Sequence, residues 1–98
     1  MDNQQPSQQQ IQVKASDEAL KGVYSNMAQI GHTQEEFVLD FMNLFPPAGV
    51  LSARVIVSPA HIKRITQALA ENIKKYEEQF GSIKPGSVPE RKIGFRTE

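Results

Sequence analysis

Residues 53–81, ARVIVSPAHIKRITQALAENIKKYEEQFG, turn a β-branched run directly into an amphipathic helix. That junction restricts the chain to folds in which a strand hands over to one long helix. Ser58 offers an N-cap oxygen to the free amides of the first turn, and Pro59 takes the first helical position, where a missing N–H costs nothing. Ile62, Ile65, Leu69, Ile73, Tyr76 and Phe80 recur three and four residues apart and draw one apolar stripe. Lys63, Arg64, Gln67, Glu71, Lys74, Lys75 and Glu78 fall on the opposite face, with Glu71 and Lys75 at ion-pair spacing. Gly81 is placed to end the helix in a left-handed conformation. Burying such a stripe contributes roughly 1.5–3 kcal/mol per side chain, so the helix is built to cover something apolar.

The surface to be covered is a sheet. Residues 36–44, EFVLDFMNL, are short, rich in Phe, Val and Leu, and followed by Pro46-Pro47. Alternation puts Phe37, Leu39 and Phe41 on one face, and Val38, Met42 and Leu44 on the other with Asp40 among them. Residues 21–30 alternate less cleanly, and the polar run 31–35 between the two has hairpin length. Ser52–Val57 reads as a further strand and Ile11–Ala15 as a weaker one. A helix over 34–44 competes, because Thr33 followed by Glu36 imitates a capping box, but the aromatic and β-branched content favours strand. The expected class is α+β: a small antiparallel sheet of three or four strands covered by one long C-terminal amphipathic helix.

The ends read differently. Residues 1–10, MDNQQPSQQQ, are Gln-rich with no apolar side chain after Met1, and are expected to be a disordered tail. Residues 82–98 contain Pro85, Gly86 and Pro89 and are expected to be a flexible C-terminal tail. That leaves a single domain at 11–81, about 70 residues, a size at which one core is marginal. The chain has no cysteine, so no disulfide or thiolate metal site reinforces it. No apolar run reaches the roughly 20 residues that span a bilayer and no secretory signal opens the sequence, so no membrane role and a cytoplasmic location are expected.

A strand that is apolar on both sides needs cover on both sides, and one helix covers only one face. The residues Phe37, Leu39, Phe41, Val38, Met42 and Leu44 are therefore the candidate self-interface, and a homodimer or higher homo-oligomer is expected. The competing reading folds the proline turn and the tail over the second face. Charge is divided as well. Through Val50 six acids stand against Lys14 and Lys21, while from Leu51 nine bases stand against five acids. Lys63 with Lys74, and Arg64 with Lys75, return to nearly the same helix azimuth and form columns that suit phosphates. An ordinary solvated face, with Glu71, Glu77 and Glu78 interspersed, is the simpler account. In the C-terminal run 89–96, PERKIGFR, the bases Arg91, Lys92 and Arg96 bracket Ile93 and Phe95. This suits a docking motif for a protein partner, an added edge strand, or a clip on its own domain.

Catalytic sets are missing. His32 and Glu36 make only two potential ligands, and His61 reads as a first-turn surface histidine rather than a general base. Asp40 would have a raised pKa if buried alone, but an exposed position on a half-buried strand is the simpler assignment. Gly22 and Ser25-Asn26 read as a bulge. No phosphate loop or nucleophile elbow is present, so no catalytic, cofactor-binding or metal residue is assigned.

Tyr24 and Asn26, Glu36 with Asp40-Phe41, and the Ser58-Pro59 junction together resemble the small prokaryotic family called domain of unknown function 3467, over residues 23–80. The resemblance implies a compact, oligomeric α+β unit and supplies no catalytic or binding residue. Strands followed by a long helix are also similar, at fold level alone, to the export chaperone SecB. The expected function is a non-enzymatic, oligomer-forming protein-interaction module, chaperone-like in one variant. The alternative is a nucleic-acid-binding accessory protein using Lys63, Arg64, Lys74, Lys75 and the tail.

Overall fold

The computed structural model describes residues 9–86 and 92–97. A short helix α1 (Asp17–Lys21) precedes strands β1 (Met27–His32), β2 (Phe37–Phe45) and β3 (Ala48–Val57), and helix α2 (Pro59–Phe80) follows. The chain divides between Val57 and Ser58 into a sheet unit and a helix unit. The three strands form an antiparallel sheet in the order β1-β2-β3, which makes the class α+β.

The segment 11–15 is no strand. Ile11 and Val13 stay exposed, and two apolar side chains after a Gln-rich run offset too little of the cost of ordering the chain. Next comes α1, which the periodicity did not reveal. The Ser16 hydroxyl accepts the Ala19 N–H at 3.0 Å, Asp17 and Glu18 occupy the first turn, and Gly22 stops the helix at φ 77. Gly22 is thus a helix stop rather than part of a bulge.

β1 begins at Met27, later than expected: the Asn26 N–H still donates to the Met42 carbonyl at 3.0 Å, but the remaining bonds of Tyr24 to Asn26 run through side chains. Ser25 Oγ stands 2.9 and 3.0 Å from the carbonyl oxygens of Met27 and Met42, which share its one donated proton. The Asn26 carboxamide donates to the Leu44 carbonyl at 3.0 Å and accepts the Leu44 N–H at 2.8 Å. It imitates one more rung of the β1–β2 ladder. The β1–β2 connection settles the competition at 34–44 in favour of strand. Thr33 Oγ1 accepts the N–H groups of Glu35 and Glu36, both at 3.2 Å, and the Thr33 N–H donates to the Glu36 carbonyl at 2.9 Å. The chemistry of a capping box is spent on a hairpin turn.

Pro46-Pro47, joined by a cis peptide bond, does not end the sheet; it turns β2 into β3, with Phe45 opposite Ala48. β3 therefore starts earlier than the expected Ser52. Its register shifts between the pairs Phe41–Ala53 and Met42–Leu51, leaving Ser52 as the extra residue of a bulge. Ser52 turns its hydroxyl to the Tyr24 carbonyl at 3.0 Å.

The register assigns the faces. Phe37, Leu39 and Phe41 lie with His32, Ile30 and Ala28 of β1 and with Val57, Val55 and Ala53 of β3. Val38, Asp40 and Met42 lie with Gly31, Gln29 and Met27, and with Ile56, Arg54 and Leu51. Among the described residues only Leu39 (8 % exposed), Asp40 (5 %) and Met42 (2 %) are buried. All three belong to β2, the one strand with a neighbour on each side.

In the helix unit, Ser58 caps α2 by accepting the His61 N–H at 3.1 Å, with Pro59 in the first turn as expected. Ile62 and Ile65 are half-buried, whereas Leu69, Ile73, Tyr76 and Phe80 are exposed, the last two with ring centroids 5.0 Å apart. Gly81 ends the helix at φ 95 and ψ 171. The sign of φ is the expected one, but this is the extended positive-φ region open essentially to glycine alone, not the left-handed helical one. The Glu77 carboxylate accepts the Ile83 N–H at 2.9 Å and carries the chain past the helix end. Glu71 and Lys75 do not approach within ion-pair distance.

Candidate interaction surface

Asp40 is where the structure departs furthest from the sequence reading. It is neither exposed nor unpartnered. Its carboxylate takes a two-point grip from Arg54, Nε to Oδ1 at 2.6 Å and Nη2 to Oδ2 at 2.9 Å. That hydrogen bonding holds the Asp40 pKa below its ordinary value, outweighing desolvation, with the positive charge of Arg54 acting in the same direction. The same contacts raise the pKa of Arg54. The pair bridges β2 and β3 on one face and is structural in geometry: both partners are engaged with each other and the carboxylate is shut from solvent.

The six candidate self-interface residues do not form one exposed patch. Leu39 and Met42 are buried within the chain, and Phe37, Phe41, Val38 and Leu44 are half-buried. The exposed apolar surface of the sheet lies on the flanking strands instead, at Ile30 of β1 and at Val50, Leu51, Val55 and Ile56 of β3. Alternation within β2 could not reveal this, since burial depends on which strand is central. The signal available was the length of the β-branched run ending at Val57.

Lys63, Arg64, Lys74 and Lys75 are exposed along α2 and none enters an ion pair among the described residues. Arg64 Nη2 stands 3.5 Å from His61 Nδ1. Arg91, with the start of the PERKIGFR run, lies outside the described residues. Lys92, Phe95 and Arg96 are exposed and Ile93 half-buried, in neither helix nor strand. His32 stacks on Phe37 with centroids 5.2 Å apart, which accounts for it as a packing group. Among the described residues no three His, Asp or Glu side chains gather as a metal site requires. None of the described helices is long and apolar enough to cross a membrane. A shallow, open depression runs along Val23 to Ala28 and Phe41, but its polar groups Ser25 and Asn26 are already committed to backbone partners.

Four of the residues that carry the family resemblance thus have a structural post. Asn26 clamps Leu44, Asp40 grips Arg54, Ser58 caps α2, and the Glu36 backbone closes the hairpin on Thr33. No curated protein and no solved structure matches the chain. The family described as "Protein of unknown function (DUF3467)" matches residues 1–85, and the chain belongs to it.

Proposed function

We propose that this chain is a non-enzymatic, self-associating protein-interaction module. One observation carries the reading. Among the described residues burial is confined to the central strand, while large apolar side chains stand exposed on the sheet and along one stripe of α2. Isolated surface apolar residues are ordinary, but contiguous ones at regular periodicity mark surfaces that associate. A chaperone-like role, in which the same apolar surface receives other chains, is one variant. The pairing of Asp40, the only buried charge among the described residues, and the commitment of Ser25, Asn26 and Ser52 to backbone, support a role without a chemical step. Light scattering coupled to size-exclusion chromatography is the test. A discrete multiple of the 11.0 kDa chain mass is expected, and a monomer across the micromolar range overturns the reading.

The exposed bases Lys63, Arg64, Lys74 and Lys75, unpaired among the described residues, favour a second reading, nucleic-acid binding. It requires retention on DNA or RNA at low salt that falls steeply as salt rises. Aromatic groups interleaved with these bases, which would stack on nucleobases, are missing from that face, so this reading ranks second.

A further inference from the structure

We infer that the free edge of β3 is where self-association occurs, through antiparallel pairing with β3 of a second copy in one register centred on the bulge. The inference rests on the self-associating role proposed above and adds its surface and geometry.

β3 lies at an edge of the sheet, so one row of its N–H and C=O groups is without a ladder among the described strands. Apart from its bulge and one arginine, ordinary safeguards of an edge are absent from it. The run AGVLSARVIV has no proline and no lysine, and it is the longest strand. Its single charge, Arg54, is held by Asp40. Val50, Leu51, Val55 and Ile56 are 54, 42, 43 and 53 % exposed on its two faces. β1 is a poorer edge, six residues long with Gly31 and Gln29 in it.

The bulge selects the partner. A regular strand laid against β3 would lose register at Ser52, which is how edge bulges normally discourage pairing. A second β3 carries the same extra residue. Run antiparallel, with Leu51 of each copy opposite Arg54 of the other, both strands have two residues between those positions and the irregularities coincide. Val50 then faces Val55 of the second copy, and Gly49 faces Ile56. The bulge also reconciles the faces. Val50 and Val55 would point to opposite faces of an unbroken strand, but here they share one, as do Leu51 and Arg54. Neither arginine meets its own copy, so no like charges are opposed. The contact is isologous and closes as a dimer.

The register fixes the test. Val50→Lys with Val55→Lys opposes like charges at two symmetric positions, and Val50→Glu with Val55→Lys opposes unlike ones. Within one chain the two positions are too far apart to pair. Light scattering should give twice 11.0 kDa for the wild type and the Glu/Lys variant, and 11.0 kDa for the Lys/Lys variant. Circular dichroism on each variant verifies that the fold is kept. A Lys/Lys variant as dimeric as the wild type overturns the edge while leaving self-association standing. Equal dissociation of both variants overturns the register, and a monomeric wild type overturns both proposals. Should either charged variant fail to fold, Val50→Cys with Val55→Cys in this cysteine-free chain decides the matter. An intermolecular disulfide under mild oxidation is expected, and its absence from an oxidised dimer is the contrary result.

Discussion

The Asn26 clamp lends itself to a quantitative test. Its carboxamide makes two hydrogen bonds to the backbone of one residue, Leu44, at 2.8 and 3.0 Å. The orientation is unambiguous, because the Leu44 N–H must meet an oxygen and the Leu44 carbonyl a nitrogen. A typical net contribution is about 0.5–1.5 kcal/mol per bond, and water can reach this site, so Asn26→Ala should cost about 1–2 kcal/mol. With a urea dependence of about 1 kcal/mol per molar, the unfolding midpoint falls by roughly 1–2 M. Asn26→Asp separates the clamp from simple polarity. The carboxylate keeps the acceptor for the Leu44 N–H but sets a second oxygen against the Leu44 carbonyl. At neutral pH it should be no better than alanine, and it should recover as the pH falls below about 4 and the acid acquires a donor. Urea titrations of the three proteins at pH 7 and pH 3.5, with amide exchange at Leu44, provide the assay. An Asn26→Ala midpoint within about 0.3 M of wild type would refute the clamp.

Three further perturbations probe other parts of the fold. Asp40 has its folded pKa lowered by Arg54, so the stability it contributes is present above the unfolded value near 3.8 and is lost as pH falls through the folded one; Asp40→Asn should therefore be less stable than wild type at pH 7, with the gap closing below about pH 3.8, and a pH-independent gap in urea midpoint would contradict this. Ser58→Ala removes the cap on the His61 N–H and should cost about 1 kcal/mol, whereas Ser58→Gly should cost only a few tenths, both read from thermal melts by circular dichroism. Met42 is the most buried side chain described, and Met42→Ala should lose about 2–5 kcal/mol, enough to populate the unfolded chain at room temperature, while Met42→Leu should lose under about 1.5 kcal/mol.

Legibility in the sequence followed the locality of the forces. α2 was readable to the residue at its start, since Ser58, Pro59 and the stripe are all local signals. The signals for α1 were also present, Ser16 before two acids with Lys21 and Gly22 behind, but five residues are too few to show a periodicity. The Asp40–Arg54 pair was hidden by the bulge. Counting back from the Pro46-Pro47 turn sets Phe41 against Ser52 and Asp40 against Ala53, and only the extra residue brings Arg54 into line. The late start of β1 is not legible locally, because Ser25 and Asn26 bond the backbone of Met42 and Leu44, 17 and 18 residues along, and no pattern in their own segment announces it. The candidate self-interface was placed on the strand with the strongest alternation, which proved to be the central one and hence already covered at Leu39 and Met42.

Confinement of burial, among the described residues, to Leu39, Asp40 and Met42 also gives the chain an unusual diagnostic property. In a saturation-mutagenesis library screened for cellular abundance, an isolated fold of this kind should be sensitive in β2 and at its caps and clamps, and permissive nearly everywhere else. Any exposed position that nonetheless rejects polar substitution then reports a contact supplied by another molecule. The map of such positions would outline the associating surface directly, at single-residue resolution, before any partner is isolated.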